Sequence, residues 1–447
     1  MADTLDKRKS KGASTWRKIY APSENLLSRS RESVNVYAVG LFNTGAAYAL
    51  VVPFAILLRD SFKARRLSLD LEGYITLLGY PSEWVVVAGI LLAEFIFSFL
   101  IYYFFLLWVA CYRRVGAVSN YVFLLLLVAC VVVTRLAVFR AVFELDIHPA
   151  GRLTCNIQMV LLCMKWVSFI HENANKVVHP WHKEDETGPA VWYAGQMEPQ
   201  IGSFSSYVYF LFCPVLLYRD RYPRKQRNFR KAFGHLVEFL MTNLIGYTLF
   251  KDFLLPQSML LDDLVTSLLR CLFLGCVQLH LAHTCVVHGW MNMSAELTGF
   301  ADHNFYQDWW NSQCLGEYLG KWNPVIQEWL KTYFYAYLKN WVPRAVALLA
   351  ILVLSAAEHD FLIGTGMGFY IPMYLVEYGL IGFLLSFKPP LGKQTDRLIM
   401  CVGLSLGTGI QMAIYLTELV ARSQCGEASS SWFEGMWAFE CYRRVNN

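Results

Sequence analysis

Long apolar runs separated by shorter polar stretches dominate this chain. The runs cover 34–58, 84–110, 121–138, 153–170, 205–217, 235–253, 264–287, 342–354 and on past Ser355, 369–387, and 398–420. A helix needs about 20 mostly apolar residues to cross a bilayer, so most of these runs qualify and 205–217 is short. The pattern predicts an all-α polytopic membrane protein of about nine transmembrane helices. Polar or amphipathic stretches fall at 59–83, 173–204, 218–234 and 294–341. No repeat period breaks the chain into modules. The expected organisation is an N-terminal tail at 1–33, one multi-span unit at 34–424 and a C-terminal tail at 425–447.

The stretch 294–341 departs from the pattern. It holds Trp309, Trp310, Trp322, Trp329, Tyr333, Tyr335 and Trp341 among Asp, Asn, Lys and Glu. It is too polar to span and too aromatic for an ordinary loop. Helices lying in the membrane interface, or re-entering the protein, fit it.

Composition supports the membrane reading. Of 447 residues, 56% are hydrophobic and only 16% charged, with mean hydropathy +0.36. Soluble domains carry roughly 25% charge. The net charge of +5 points to basic cytoplasmic loops, and no nucleic-acid motif accompanies it. Residues 1–33 carry eight Lys/Arg against four acids. No apolar core follows those charges, so the segment is no signal peptide and is expected in the cytosol. Ten of the twelve cysteines lie in or beside apolar stretches, where they act as small hydrophobes.

Ionisable groups inside apolar runs are costly and so mark candidate sites. Glu94, Arg135, Glu238 and the trio Glu358-His359-Asp360 stand out. Glu94 either faces a cavity or hydrogen-bonds a neighbouring helix. His359 follows the apolar run 345–357, and Ser355 lies four residues before it on the same helical face. A buried neutral imidazole at the end of an apolar helix suits a general base near neutral pH. It equally suits a helix-terminal histidine bonded to a carbonyl. His280, His283 and His288 form H-x2-H-x4-H, and His179 and His182 form H-x2-H. That invites a di-iron oxidase reading. The chain has no His-His doublet, His288 falls about a turn and a half past His283, and no metal is expected. Asn323, in Trp322-Asn323-Pro324, is a good helix N-cap. The same side chain can orient a reacting group, and Gln327 follows one turn later. No phosphate loop, G-x-S-x-G elbow or CxxC pair is present, which removes support for nucleotide hydrolysis and serine-esterase chemistry.

Phe305-Tyr306-Gln307-Asp308-Trp309-Trp310-Asn311 resembles the FYxDWWN signature of the sterol and diacylglycerol branch of the membrane-bound O-acyltransferases. Tyr218-Arg219-Asp220-Arg221-Tyr222-Pro223-Arg224 is similar to the Y-R-D-x-Y-P-R element of the sterol branch. Met164-Lys165-Trp166-Val167-Ser168-Phe169 with Glu172-Asn173 is similar to that branch's M-K-x-H-S-F-x-R-E-N. The matches run in order along more than half the chain. The resemblance implies the membrane-bound O-acyltransferase fold, and transfer of a long fatty acyl group from acyl-CoA to a sterol hydroxyl. His359, in Ser355-Ala356-Ala357-Glu358-His359, matches the catalytic histidine, and Asn323 matches the conserved asparagine. Trp322, Gln327, Tyr335, Arg344 and Ser355 match acyl-CoA-binding positions. Gln327 replaces a usual histidine, Arg344 a frequent lysine, and Asp360 a typical glutamate. Glu358 is atypical as well.

The implied partners are acyl-CoA as co-substrate, a sterol or other lipid alcohol, membrane lipids and further copies in a homodimer or homotetramer. Nucleic acid is not among them. No permanently bound cofactor is implied. The implied location is the endoplasmic reticulum membrane, spanned several times. If the C-terminal tail is luminal, a Cys425–Cys441 disulfide is favoured there, as in the sterol branch; otherwise both are free thiols. Diacylglycerol, retinol or a fatty alcohol are rival acceptors. A non-catalytic transporter or channel is the rival of another class, although it leaves the Trp-rich motif and His359 without a purpose.

Overall fold

The computed structural model describes residues 75, 78–116, 118–178, 201–249, 264–387 and 389–425. Its elements are α1 Pro81–Val115, α2 Val118–Glu144, α3 Pro149–Val178, α4 Phe204–Phe212, α5 Phe229–Leu249, α6 Leu264–His283, α7 Met291–Thr298, α8 Leu315–Trp322, α9 Pro324–Leu330, α10 Ala336–Leu338, α11 Arg344–Met367, α12 Phe383–Leu385 and α13 Lys393–Cys425. Three wider π-helical segments join or extend them at Thr284–Trp290, Lys331–Tyr335 and Leu375–Gly382. Such segments are rare and concentrate at functional sites. Among the described residues the only β pairing is one isolated bridge, Arg224 to Phe300.

Local sequence sets the helix ends. Pro81 opens α1, and Glu83 reaches back to the Tyr80 amide at 3.0 Å. Ser203 caps α4 through the Ser206 amide. Gly368, at φ 79°, closes α11 in the left-handed conformation that glycine adopts without strain.

Six described helices are long and apolar enough to cross a membrane: Pro81–Val115, Val118–Glu144, Pro149–Val178, Leu268–Thr298, Arg344–Met367 and Lys393–Glu418. The run 34–58 lies outside the described residues. Two other predicted spans are corrected. α4 has nine residues, about 14 Å of helix, and the chain turns at Cys213. The run 235–253 continues past the described residues; its described part, α5, carries Arg230, Lys231, His235 and Glu238 in its first half. The run 369–387 is helical and apolar only over Leu375–Leu385, about 16 Å. The interfacial expectation for 294–341 agrees with its series of short helices, none of them long enough to span.

α3 is the hub. Leu162, Trp166 and Phe169 on it are fully buried, and α3 packs against α1, α2 and α11. α2 is the opposite case, exposing Val122, Leu124, Leu125, Val128, Val132 and Val133. That face suits lipid chains. α6 and α13 cross closely. A Cβ on Gly275 would stand 2.0 Å from the Ser405 carbonyl oxygen, and one on Gly409 1.9 Å from that of Cys271. Only glycine permits backbones to approach this far, the usual means of close helix packing in membranes.

Candidate active site

The FYxDWWN segment is a collar around His283. The His283 ring lies 4.7 Å from Tyr306, 5.2 Å from Trp309 and 4.6 Å from Trp322. Its Nε2–H donates to the Trp322 carbonyl at 3.3 Å, and the residue is 2% exposed. Phe305 and Trp309 are buried, as is Asn311, whose carbonyl accepts from Arg397 at 3.2 Å. Trp310 packs edge-on against Trp309. Asp308 pairs with Lys321 at 3.1 Å, and Lys321 with Glu317 at 2.7 Å. His280 donates Nδ1–H to the Cys276 carbonyl at 2.7 Å. The H-x2-H-x4-H spacing thus resolves into separate duties, and His280 and His283 serve packing.

Trp322 leads directly to Asn323, the N-cap of α9. Its Oδ1 accepts from the Ile326 amide at 3.3 Å, as Asn-Pro predicts. Its amide hydrogens have no partner among the described residues, so the cap leaves a donor for another group. Gln327 lies over Gly320, where a Cβ would come 3.6 Å from its Nε2.

His359 differs from the expected buried, helix-terminal imidazole. α11 continues to Met367, because Phe361, Leu362 and Ile363 extend the apolar run and the glycine stop comes only at Gly368. The side chain is exposed. Its Nδ1 lies 2.7 Å from the Ser355 carbonyl oxygen. A carbonyl can only accept, so in the neutral imidazole Nδ1 carries the proton and Nε2 the lone pair. Among the described residues Nε2 has no hydrogen-bond partner. One face of the ring stacks on Tyr374 at 5.0 Å, and Tyr374 stacks on Tyr378 at 5.7 Å. Tyr378 packs against the apolar cluster that holds Tyr318, whose ring packs on Trp322 at 5.4 Å. A ladder of aromatic rings therefore links His359 to the Trp322-Asn323 corner.

Asp360 supports this ladder. It is fully buried and accepts from the amides of Tyr374 at 2.8 Å and Leu375 at 2.9 Å. It thereby anchors the start of a π-helical segment and holds Tyr374 against His359. On its other side, Glu358 forms a two-pronged ion pair with Arg135, whose second contact measures 2.9 Å. The two ionisable residues singled out in the sequence are thus partners from different helices. Glu94 is 4% exposed, and neither carboxyl oxygen has a partner among the described residues.

The remaining predicted positions are spread out. Ser355 supplies the carbonyl beneath His359. Tyr335 is half-buried and Arg344 exposed. Arg344 begins α11, about 22 Å along the axis from His359. Nearby, the Tyr218–Arg224 element meets the end of α3. Asp220 pairs with Lys176 at 2.7 Å, Arg219 with Glu172 at 3.5 Å, and Tyr333 donates to Glu172 at 2.8 Å. The side chain of Cys425 and all of Cys441 lie outside the described residues.

Below the collar, Lys225 contacts Glu296 at 2.7 Å and donates to His303 Nε2 at 2.7 Å, while His303 Nδ1 donates to Asn292 at 2.6 Å. Both ring nitrogens are used by the neutral form. Burial, followed by the Lys225 charge, lowers the His303 pKa to about 4. Burial raises that of neighbouring Asp302 to about 6.

Sequence reasoning missed Tyr374 and Tyr378. An aromatic pair at i and i+4 beside Asp360 in space leaves no local signal.

Comparison with known proteins places this geometry. Residues 157–406 match the membrane-bound O-acyltransferase family. Sterol O-acyltransferase 2 of Homo sapiens is 32% identical over 317 residues, covering 67% of this chain and 58% of the relative. Sterol O-acyltransferase 2 of Rattus norvegicus is 31% identical, covering 65% and 55%. Sterol O-acyltransferase 1 of Chlorocebus aethiops is 28% identical, covering 64% and 52%. The chain spans somewhat over half the length of the curated relatives it matches. With its family match covering more than half its residues, this multi-helix membrane protein belongs to the membrane-bound O-acyltransferase family.

Proposed function

We propose that the protein transfers a long-chain fatty acyl group from acyl-CoA to the hydroxyl of a sterol, releasing a sterol ester and CoA, in the endoplasmic reticulum membrane. The sterol O-acyltransferase relatives and the Tyr218–Arg224 element support the acceptor. The observation that carries the chemistry is His359: an accessible imidazole with Nδ1–H held by a backbone carbonyl and Nε2 open.

In this reading Nε2 takes the proton of the acceptor hydroxyl as its oxygen attacks the thioester carbonyl. Proton removal and bond formation give a tetrahedral intermediate, which expels the CoA thiolate. The thiolate then takes the proton from the imidazolium, and the base is restored. The free amide hydrogens of Asn323 suit the developing oxyanion. Arg344, exposed at the start of α11, suits the phosphates of CoA. The distance from Arg344 to His359 leaves room for an extended carrier arm between them. Tyr374 and Tyr378 offer a flat aromatic wall beside the base.

The test uses microsomes containing the protein, labelled oleoyl-CoA, and cholesterol, diacylglycerol or retinol in separate reactions. Labelled sterol ester is the expected product. Triacylglycerol or retinyl ester instead overturns the acceptor, and no labelled product from any of them overturns acyl transfer.

A further inference from the structure

His288 is the member of the H-x2-H-x4-H series that touches the collar at Tyr306 and also reaches an acidic side chain on another helix. Its Nε2 lies 3.6 Å from Glu238 Oε2. That same oxygen lies 2.8 Å from His235 Nδ1. His235 and Glu238 share one face of α5 at i and i+3. The three ligand-capable atoms all lie within 4.8 Å of one another, and among the described residues this is the one such group of three or more.

We propose that His235, Glu238 and His288 bind a divalent first-row metal, with zinc the best fit. Ligand atoms around tetrahedral zinc sit at about 2.0–2.1 Å from the ion, and so about 3.3 Å from one another. The two separations, 2.8 and 3.6 Å, bracket that value. Two imidazoles and a carboxylate are a standard zinc donor set, and imidazole-rich sites exclude magnesium and calcium.

A second observation independently favours a ligand. The Tyr306 hydroxyl lies 2.9 Å from His288 Nδ1. Metal-binding histidines nearly always engage their other nitrogen in a hydrogen bond, and with Nδ1–H donating to the Tyr306 oxygen the lone pair lies on the opposite nitrogen. That nitrogen is Nε2, which faces Glu238. Burial is graded as a three-ligand site requires. His288 and His235 side chains are 16% and 20% exposed, and Glu238 51%. The fourth position is left for water. The ion would tie α5 to the π-helical segment holding His288 and, through Tyr306, to the FYxDWWN collar. It takes no part in the proposed transfer.

The test uses the full-length protein purified in detergent, with zinc as probe. Elemental analysis is expected to find one zinc per chain, removed by chelator and restored by titration with a rise in thermal midpoint. Glu238→Gln sits at an exposed position and keeps the fold, and should weaken zinc binding at least about a hundredfold. Tyr306→Phe should weaken it about 10–100-fold. His280→Gln, outside the triad, should bind zinc as the wild type does. Zinc that neither copurifies nor shifts the midpoint overturns the proposal, as does equal binding by wild type and Glu238→Gln. Either result leaves a hydrogen-bonded His–Glu–His cluster.

Discussion

Around His283 three aromatic rings close to within 5.2 Å, and its Nε2 is taken by a carbonyl. Around His359 one ring stacks on one face, Nδ1 is taken, and Nε2 is open among the described residues. Both histidines lie on long apolar helices next to a family motif. One is a packing element that fastens the FYxDWWN collar to α6, and the other is exposed and chemically available. The difference comes from neighbours supplied by other segments. The motif folds back over His283. Asp360, by contrast, pulls the backbone of Tyr374 and Leu375 to one side of His359 and leaves the other side clear.

The contrast can be broken first at the collar. His283→Ala removes a fully enclosed ring and leaves the Trp322 carbonyl without its donor. We expect a loss of about 3–5 kcal/mol, as for other large-to-small core changes. A large drop in thermal midpoint in detergent is the readout, with any remaining folded protein still active. Next comes the α6–α13 crossing that carries the collar's helix. Gly409→Ala drives a methyl into the Cys271 carbonyl, and overpacking of this kind costs about 1–3 kcal/mol. Gly403→Ala, which meets nothing within 4 Å on the same helix, is the control and should melt as the wild type does.

Asn323 sharpens the comparison, because it stands between the two histidines. Loss of its cap in Asn323→Ala costs about 0.5–2 kcal/mol. If it also serves the oxyanion, turnover falls a further ~100–1,000-fold. Asn323→Asp keeps the capping oxygen but loses the amide hydrogens. It should retain stability while turnover falls; unchanged turnover would restrict Asn323 to capping.

The smallest effect is in pH. Asp302, raised to about 6 by burial, favours the folded state most below its unfolded value, and that contribution is lost as pH rises toward 6. His303, lowered to about 4, contributes above its unfolded value and loses it as pH falls toward 4. The two slopes oppose each other in one window. Asp302→Asn should therefore give a thermal midpoint that rises between pH 4 and 6.5, while His303→Gln should give one that falls between pH 4 and 6. Identical profiles for both variants would contradict the assignment.

What could be read in advance was local. Apolar runs identified the six long helices, because span length is a property of contiguous residues. Trp322-Asn323-Pro324 announced its cap for the same reason. The runs at 205–217 and 369–387 misled because hydropathy alone does not register a turn at Cys213 or the non-helical stretch that follows Gly368. Arg135 and Glu358 were each visible as costly intramembrane charges, yet nothing in either segment names a partner on another helix. His359 was found by its motif, but its exposure depends on how Asp360 holds the backbone near Tyr374.

The most direct measurement places the two histidines side by side. His359→Gln and His283→Gln would be purified in detergent and compared for thermal midpoint and for sterol ester formed per folded molecule. His359→Gln is expected to keep its midpoint and lose about 100–10,000-fold in turnover, whereas His283→Gln melts lower and turns over normally per folded molecule. Sterol ester formed by His359→Gln at the wild-type rate would contradict this.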